Sequence, residues 1–253
     1  MRVALFVTCL VDLMRPRIGF AAIELLEAAG CEVEVPTTQT CCGQPAWNSG
    51  DRTAAAALAK KLIAEFESCG YVVAPSGSCA DHIRNEYPVI LADDPEWHGR
   101  AVALASRVYE LTDFLTNVVQ IESLPGKFAG SITYHDSCTG LRSMGIKVQP
   151  RALLGKLPGV ELREMTGAEE CCGFGGTFAM RYPDISEAIV TDKVAAIRDT
   201  EAGRVVSADC GCLLNITGRA AKQDEIAGLT NPTLPGEHIA SFLWRRTTEG
   251  ATV

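Results

Sequence analysis

One cysteine pattern occurs twice in this chain, and it constrains the fold more than any other feature. The first copy is Cys9, the pair Cys41–Cys42 followed by Gly43, and then Cys79. The second is Cys138, the pair Cys171–Cys172 followed by Gly173, and then Cys212, with Cys210 two residues before it. From the single cysteine to the pair lie 31 intervening residues in the first copy and 32 in the second; from the glycine to the last cysteine lie 35 and 38. Side chains this far apart converge only if the fold brings the ends of several segments together. A chain that writes the pattern twice is therefore expected to build the same fold twice.

The flanking sequence repeats as well. Residues 3–9 (VALFVTC) match 131–138 (SITYHDSC), two apolar runs that end in the first cysteine. Residues 31–36 match 160–165 as a second short strand, and 71–79 (YVVAPSGSC) match 204–212 (RVVSADCGC), aligning Cys79 with Cys212 and Gly77 with Cys210. Both copies close alike, in YELTDFL at 109–115 and EHIASFL at 237–243. The expected domains are 1–125 and 126–253, with Leu124, Pro125 and Gly126 at the join. Between the strands run helical patterns at 18–30, ending in Gly30, at 51–70 behind an Asp51 N-cap, and at 184–203. Strands alternating with helices predict an α/β fold with parallel sheets. In such sheets ligands gather at the carboxyl ends of the strands. Cys9, Cys79, Cys138 and Cys212 stand at or just past strand ends, so each cysteine set is expected on one rim of its own domain.

Eleven cysteines, with two adjacent pairs and an odd total, suit disulfides badly and soft-metal ligation well. The start MRVALFVTCL carries one basic residue and too short an apolar stretch for a signal-peptide core, so it is expected to be a buried first strand in a cytoplasmic protein with reduced thiols. No apolar run reaches the roughly 18 residues of a membrane span. A formal charge of −8 and 6% aromatic residues argue against binding nucleic acid or an anionic membrane surface. GFGG at 173–176 is not a dinucleotide fingerprint, because Phe178 stands where the third glycine belongs. No Ser-His-Asp order, HExxH or paired-carboxylate pattern points to hydrolysis.

Adjacent cysteines discriminate between metals. Neighbouring side chains of an extended backbone point to opposite faces, so both reach one small tetrahedral ion only through a special turn. A multi-iron cluster spans more space and uses both thiolates more readily. Gly43 and Gly173 permit the dihedral angles such a turn needs. The candidate ligands are Cys9, Cys41, Cys42 and Cys79 in the first copy, and Cys138, Cys171, Cys172, Cys212 and additionally Cys210 in the second. Structural zinc at one or both sites is the competing occupant, since four thiolates also suit zinc. Cys31 and Cys69 fall outside the pattern and are expected to be small buried hydrophobes. His82, three residues after Cys79, is a nearby ligand or proton donor, but Asn215 stands in its place in the second copy. His135 could line the second site, although a solvated or hydrogen-bonded strand histidine is the plainer expectation.

At these residues the chain resembles the cysteine-rich CCG-domain family, which includes the cysteine-rich component of heterodisulfide reductase and the cysteine-rich parts of glycolate oxidase iron–sulfur subunits. FVTCLVDL at 6–13, CCGQPAWNSG at 41–50, PSGSCA at 75–80, CCGFGGTF at 171–178 and ADCGCLLNI at 208–216 carry the resemblance, which spans almost the whole chain. It implies two tandem Rossmann-like CCG domains. It also implies an iron–sulfur electron-transfer component of an L-lactate oxidation complex, inactive alone and working with companion iron–sulfur and accessory subunits. In the heterodisulfide reductase relative each motif is thought to hold a noncubane [4Fe–4S] cluster through five cysteines. This chain has His82 and Asn215 where the last of those cysteines would stand, so a five-thiolate site is open only to the second copy, through Cys210. The resemblance and the residues together leave three expectations. One is a [4Fe–4S]-type cluster in the C-terminal site with a second cluster or zinc in the N-terminal one. The others are a thiol–disulfide reductase subunit and a zinc-stapled scaffold without redox chemistry.

Overall fold

The structure is a computed structural model that describes residues 1–124, 126–230 and 233–249, with side chains through residue 245. Pro125, part of the expected join, lies outside the described residues. The chain divides into two compact units, Met1–Ile121 and Glu122–Val253.

The first unit carries four strands: β1 (Arg2–Leu5), β2 (Glu32–Glu34), β3 (Val72–Ala74) and β4 (Val108–Glu110). They form one parallel sheet in the order β2-β1-β3-β4. The second unit carries β5 (Gly130–His135), β6 (Val160–Leu162), β7 (Val205–Ser207) and β8 (Gly236–His238), parallel in the order β6-β5-β7-β8. The sequence repeat is thus a repeat of topology. In both units the central strands are short apolar runs: Val3–Leu5 and Val72–Ala74 are fully buried, as are Val205–Ser207. Burial on both faces is what a parallel sheet covered by helices requires.

The helices bury the stripes that their spacing predicts. Helix Arg17–Ala28 buries Ile18, Ala21, Ala22, Leu25 and Leu26, the i, i+3, i+4, i+7 and i+8 pattern of one amphipathic face. It stops ahead of Gly30, whose φ of +81° lies in the left-handed region that glycine adopts without steric cost. The Asp51 side chain accepts from the Ala54 amide at 2.9 Å and caps helix Arg52–Phe66, which ends before the 70 expected from sequence. Its last residue packs Phe66 edge-on against Phe6 at 5.9 Å. Its counterpart, helix Pro183–Arg198, puts Lys193 on the buried face beside Val190, Val194 and Ile197.

Strand order fixes where a ligand can sit. The chain leaves β1 for β2 on one side and returns to β3 on the other, so the crevice between the carboxyl ends of β1 and β3 is a topological switch point. The crevice between β5 and β7 is its equivalent. Cys9 and Cys79 come from the segments that follow β1 and β3, and Cys138 and Cys212 from those that follow β5 and β7. The strands end earlier than the apolar runs suggest, and the cysteines belong to what comes next. Cys9 opens helix Cys9–Met14, Cys79 lies in helix Gly77–Asp81, Cys138 opens helix Cys138–Arg142, and Cys212 is the third residue of helix Cys210–Ile226.

Candidate metal centres

In the first unit the four repeated cysteines form a chain of sulfur contacts. Cys9 Sγ lies 3.8 Å from Cys41 Sγ, and Cys42 reaches both Cys41 and Cys79. The pair enters from the loop ahead of Gly43, whose φ of +91° turns the backbone and starts helix Gln44–Asn48. This left-handed residue turns the chain into the helix directly behind the pair, while Cys41 and Cys42 both join the chain of sulfur contacts. The carbonyl of Cys42 is fixed from the opposite side by the Tyr87 hydroxyl, which donates to it at 2.7 Å.

The second unit repeats the arrangement with different supports. Cys138 contacts Cys171, and Cys172 contacts both Cys171 and Cys212. Gly173 has φ +80° and donates its amide to Cys171 Sγ at 3.3 Å. The Cys172 carbonyl accepts from Asn215 Nδ2 at 2.8 Å, so Asn215 does in this unit what Tyr87 does in the first. The loop from β1 to Cys9 is held by Gln39, which accepts from the Val7 amide at 2.7 Å and donates to the Leu5 carbonyl at 3.3 Å. The loop from β5 to Cys138 is held instead by Arg151, which clamps the buried Asp136 carboxylate with two bonds of 2.8 Å.

Backbone amides point at sulfur in both units. Leu10 N–H bonds the Cys9 thiol and Gly43 that of Cys41; Thr139 bonds Cys138, and Phe174 bonds Cys172. Such donors stabilise thiolate charge and the sulfurs of a bound cluster. The thiols perturb one another strongly. Contact with Cys41, then burial, pushes Cys9 up, while donation from Cys42 and then from Cys9 holds Cys41 well below the usual thiol range. Contact with Cys171, followed by burial, likewise pushes Cys138 up. The Cys172 contact pulls Cys212 down, but burial and the Asp209 charge outweigh it and leave Cys212 at about 11. Mutual contact and burial thus push Cys9, Cys42, Cys138, Cys172 and Cys212 toward the neutral thiol. Full deprotonation needs a cation among the sulfurs, which is the chemistry of a thiophilic metal site. The donor set of both cages fits that class of occupant.

Two histidines stand against the cages. His82 is buried against Tyr87, with ring centroids 5.5 Å apart and Nε2 without a hydrogen-bond partner among the described residues. Burial above all pulls it down to about 4, although the Cys41 charge acts the other way. His135 closes β5 and is fully buried; neither ring nitrogen has a hydrogen-bond partner among the described residues. Burial, then the nearby Lys193 charge, pulls it down to about 3. The expected solvated or hydrogen-bonded strand histidine is therefore not what the fold contains. His135 offers a nitrogen that lies, with Cys172 Sγ and Cys212 Sγ, in a group whose members are all within 4.8 Å of one another.

The remaining cysteines separate from the cages. Cys31 is buried just before β2, and Cys69 is half-buried before β3, both at the amino-terminal ends of strands and so on the rim opposite the crevice. Cys69 is thus less enclosed than the expected small hydrophobe. Cys210 is buried at the first position of its helix, where the Asp209 carboxylate caps the Gly211 amide at 3.1 Å. The sulfur contacts described for the second cage run through Cys138, Cys171, Cys172 and Cys212. Sequence reasoning missed Tyr87, Asn215 as a carbonyl clamp, and Lys193. Tyr87 lies eight residues beyond Cys79, and nothing in its spacing signals a bond to Cys42.

Two parallel α/β units, each with a thiol cage at its switch point, define a doubled cysteine-rich domain. The sequence model of the CCG cysteine-rich domain matches residues 3–84 and 132–217, and the chain belongs to that family. It is 48% identical to lactate utilization protein A of Bacillus velezensis over 225 residues, 89% of this chain and 94% of that one. Against lactate utilization protein A of Geobacillus kaustophilus the identity is 48%, over 88% of this chain and 92% of the relative. Against that of Bacillus subtilis it is 45%, over 89% and 94%. Among solved structures, a hypothetical protein from Helicobacter pylori superposes with a TM-score of 0.71 at 13% identity, covering 97% of this chain and 49% of that one, a likeness of fold. Among the described residues no helix is long and apolar enough to cross a membrane.

Proposed function

We propose that this chain is a cytoplasmic iron–sulfur electron-transfer subunit of L-lactate oxidation, acting in a complex with companion subunits. The observation that carries the reading is the doubled cage: four converging thiols in each unit, with backbone amides aimed at the sulfurs, at the crevice where parallel sheets bind ligands. Cys9, Cys41, Cys42 and Cys79 hold the first centre, and Cys138, Cys171, Cys172 and Cys212 hold the second, with a [4Fe–4S]-type cluster in the second. The substrate comes from the relatives named for lactate utilization, which match nearly the whole chain. A bound cluster supplies one-electron transfer, while the protein supplies ligands, burial and hydrogen bonds. The sequence offers no flavin or nicotinamide motif, so the two-electron chemistry on lactate belongs to a companion subunit.

The test is reduction of the chain's visible and paramagnetic signals by lactate. Reduction is expected with the companion subunits and not without them. Robust lactate–dye reductase activity from the purified chain alone contradicts the division of labour. Lactate-independent behaviour of the full complex contradicts the substrate.

A further inference from the structure

The two cages are alike in their sulfurs and unlike in what closes them. Just past the end of β1 stands Phe6, and at the matching position of the second unit, the last residue of β5, stands His135, as the alignment of Cys9 with Cys138 requires. Phe6 is fully buried and packs on Phe66. His135 is as fully buried, yet among the described residues both of its ring nitrogens are left without a hydrogen bond. A buried imidazole with no partner is a standing loss of solvation, and the fold does nothing on its own to repay it. A ring nitrogen of that imidazole faces Cys172 Sγ and Cys212 Sγ within the spread that ligands of one metal occupy.

The buried Lys193 ammonium donates to the Gly167 carbonyl at 2.6 Å and stands close enough to Cys171 and Cys172 for their charges to act on it. Among the described residues that group of donors holds His135, Cys172 and Cys212, while Cys138, Cys171 and Cys210 lie outside it. We infer that His135 is a ligand of the second metal centre, making it a mixed thiolate–imidazole site while the first stays all-thiolate. The inference rests on the reading of the cages as metal sites and adds an inequality that the cysteine repeat conceals. A neutral imidazole donor that the first centre lacks gives the two centres different ligand sets, and so different reduction potentials.

The experiment uses the full chain reconstituted anaerobically with iron and sulfide, reduced, and read by pulsed EPR. A histidine ¹⁴N coupling is expected, and it converts to the ¹⁵N pattern when the chain carries ¹⁵N-histidine. It is expected to persist in His82→Gln and in Cys210→Ala, and to vanish in His135→Phe, which installs the residue that the first unit already tolerates. The wild-type labelling needs no variant to fold. Absence of histidine coupling while iron is bound overturns the ligand assignment and leaves the iron–sulfur reading intact. Coupling that survives in His135→Phe overturns the assignment as well. If the second unit holds zinc, X-ray absorption that finds nitrogen among the sulfurs keeps the ligand and sinks the cluster. A second unit that takes up neither metal overturns both.

Discussion

The Tyr87 hydroxyl donates to the Cys42 carbonyl at 2.7 Å, from a helix that follows β3 to a loop that precedes helix Gln44–Asn48. It is a buried bond between segments 45 residues apart, and it holds the cysteine pair in place from behind. Tyr87→Phe keeps the ring and its contact with His82 but leaves a carbonyl unsatisfied, at about 1–3 kcal/mol. A matching loss is expected in the second unit from Asn215→Ala, which frees the Cys172 carbonyl. Denaturant titration measures the first effect, and metal release to a chelator is expected to speed up only in the unit that carries the change.

The two pivot glycines differ in their surroundings. A Cβ at Gly43 would meet Leu58 Cβ at 3.3 Å, whereas one at Gly173 would meet the Ser186 carbonyl oxygen at 2.7 Å. Both hold positive φ, so alanine costs about 1–2 kcal/mol of backbone strain at either position. Gly173→Ala adds a clash with backbone that has no flexible side chain to move aside. It is expected to destabilise the protein more than Gly43→Ala and to empty the second cage preferentially, by thermal melting and metal analysis of each variant.

Glu110 ends β4 and caps the turn after it, accepting from the Thr112 amide at 2.8 Å and from Asp113 at 3.2 Å. Burial, against the effect of those donors, raises its carboxyl from 4.5 to about 7. Between these values the folded state holds a proton that the unfolded state has released, so wild-type stability falls as pH rises through this window and levels off above it. The full effect is about 3 kcal/mol. Glu110→Gln carries no such slope. Its stability relative to wild type is expected to improve steadily from pH 4.5 to 7, and parallel pH profiles of the two proteins would contradict this. The matching residue His238 caps by the same logic through Nδ1, which accepts from the Ala240 amide at 3.2 Å.

The repeat made the architecture legible. Apolar runs ending in cysteine marked β1 and β5, VVA and VVS marked β3 and β7, and the spacing placed each cysteine set at one rim. The sequence misled about His135, because a strand histidine next to polar Asp136 and Ser137 reads as surface, while the register with β7 buries it. Supports that act through carbonyls were not legible either. Tyr87 and Asn215 fall at different offsets from Cys79 and Cys212, and only the helices that carry them show that each reaches the same carbonyl. The closing segments 109–115 and 237–243 repeat visibly, yet their strands are three residues long, too short for alternation to announce them.

Iron, acid-labile sulfide and zinc per chain, measured with the visible spectrum on anaerobically purified protein, test the central claim most directly. Iron and sulfide are expected together, with a broad sulfur-to-iron absorption. Cys171→Ser and Cys172→Ser are expected to lose the iron of the second unit, because a hard hydroxyl replaces a soft thiolate. Cys31→Ser and Cys69→Ser, on the opposite rim, are expected to keep the wild-type content. Colourless protein that holds only zinc, or equal iron loss from both groups of variants, would contradict the claim.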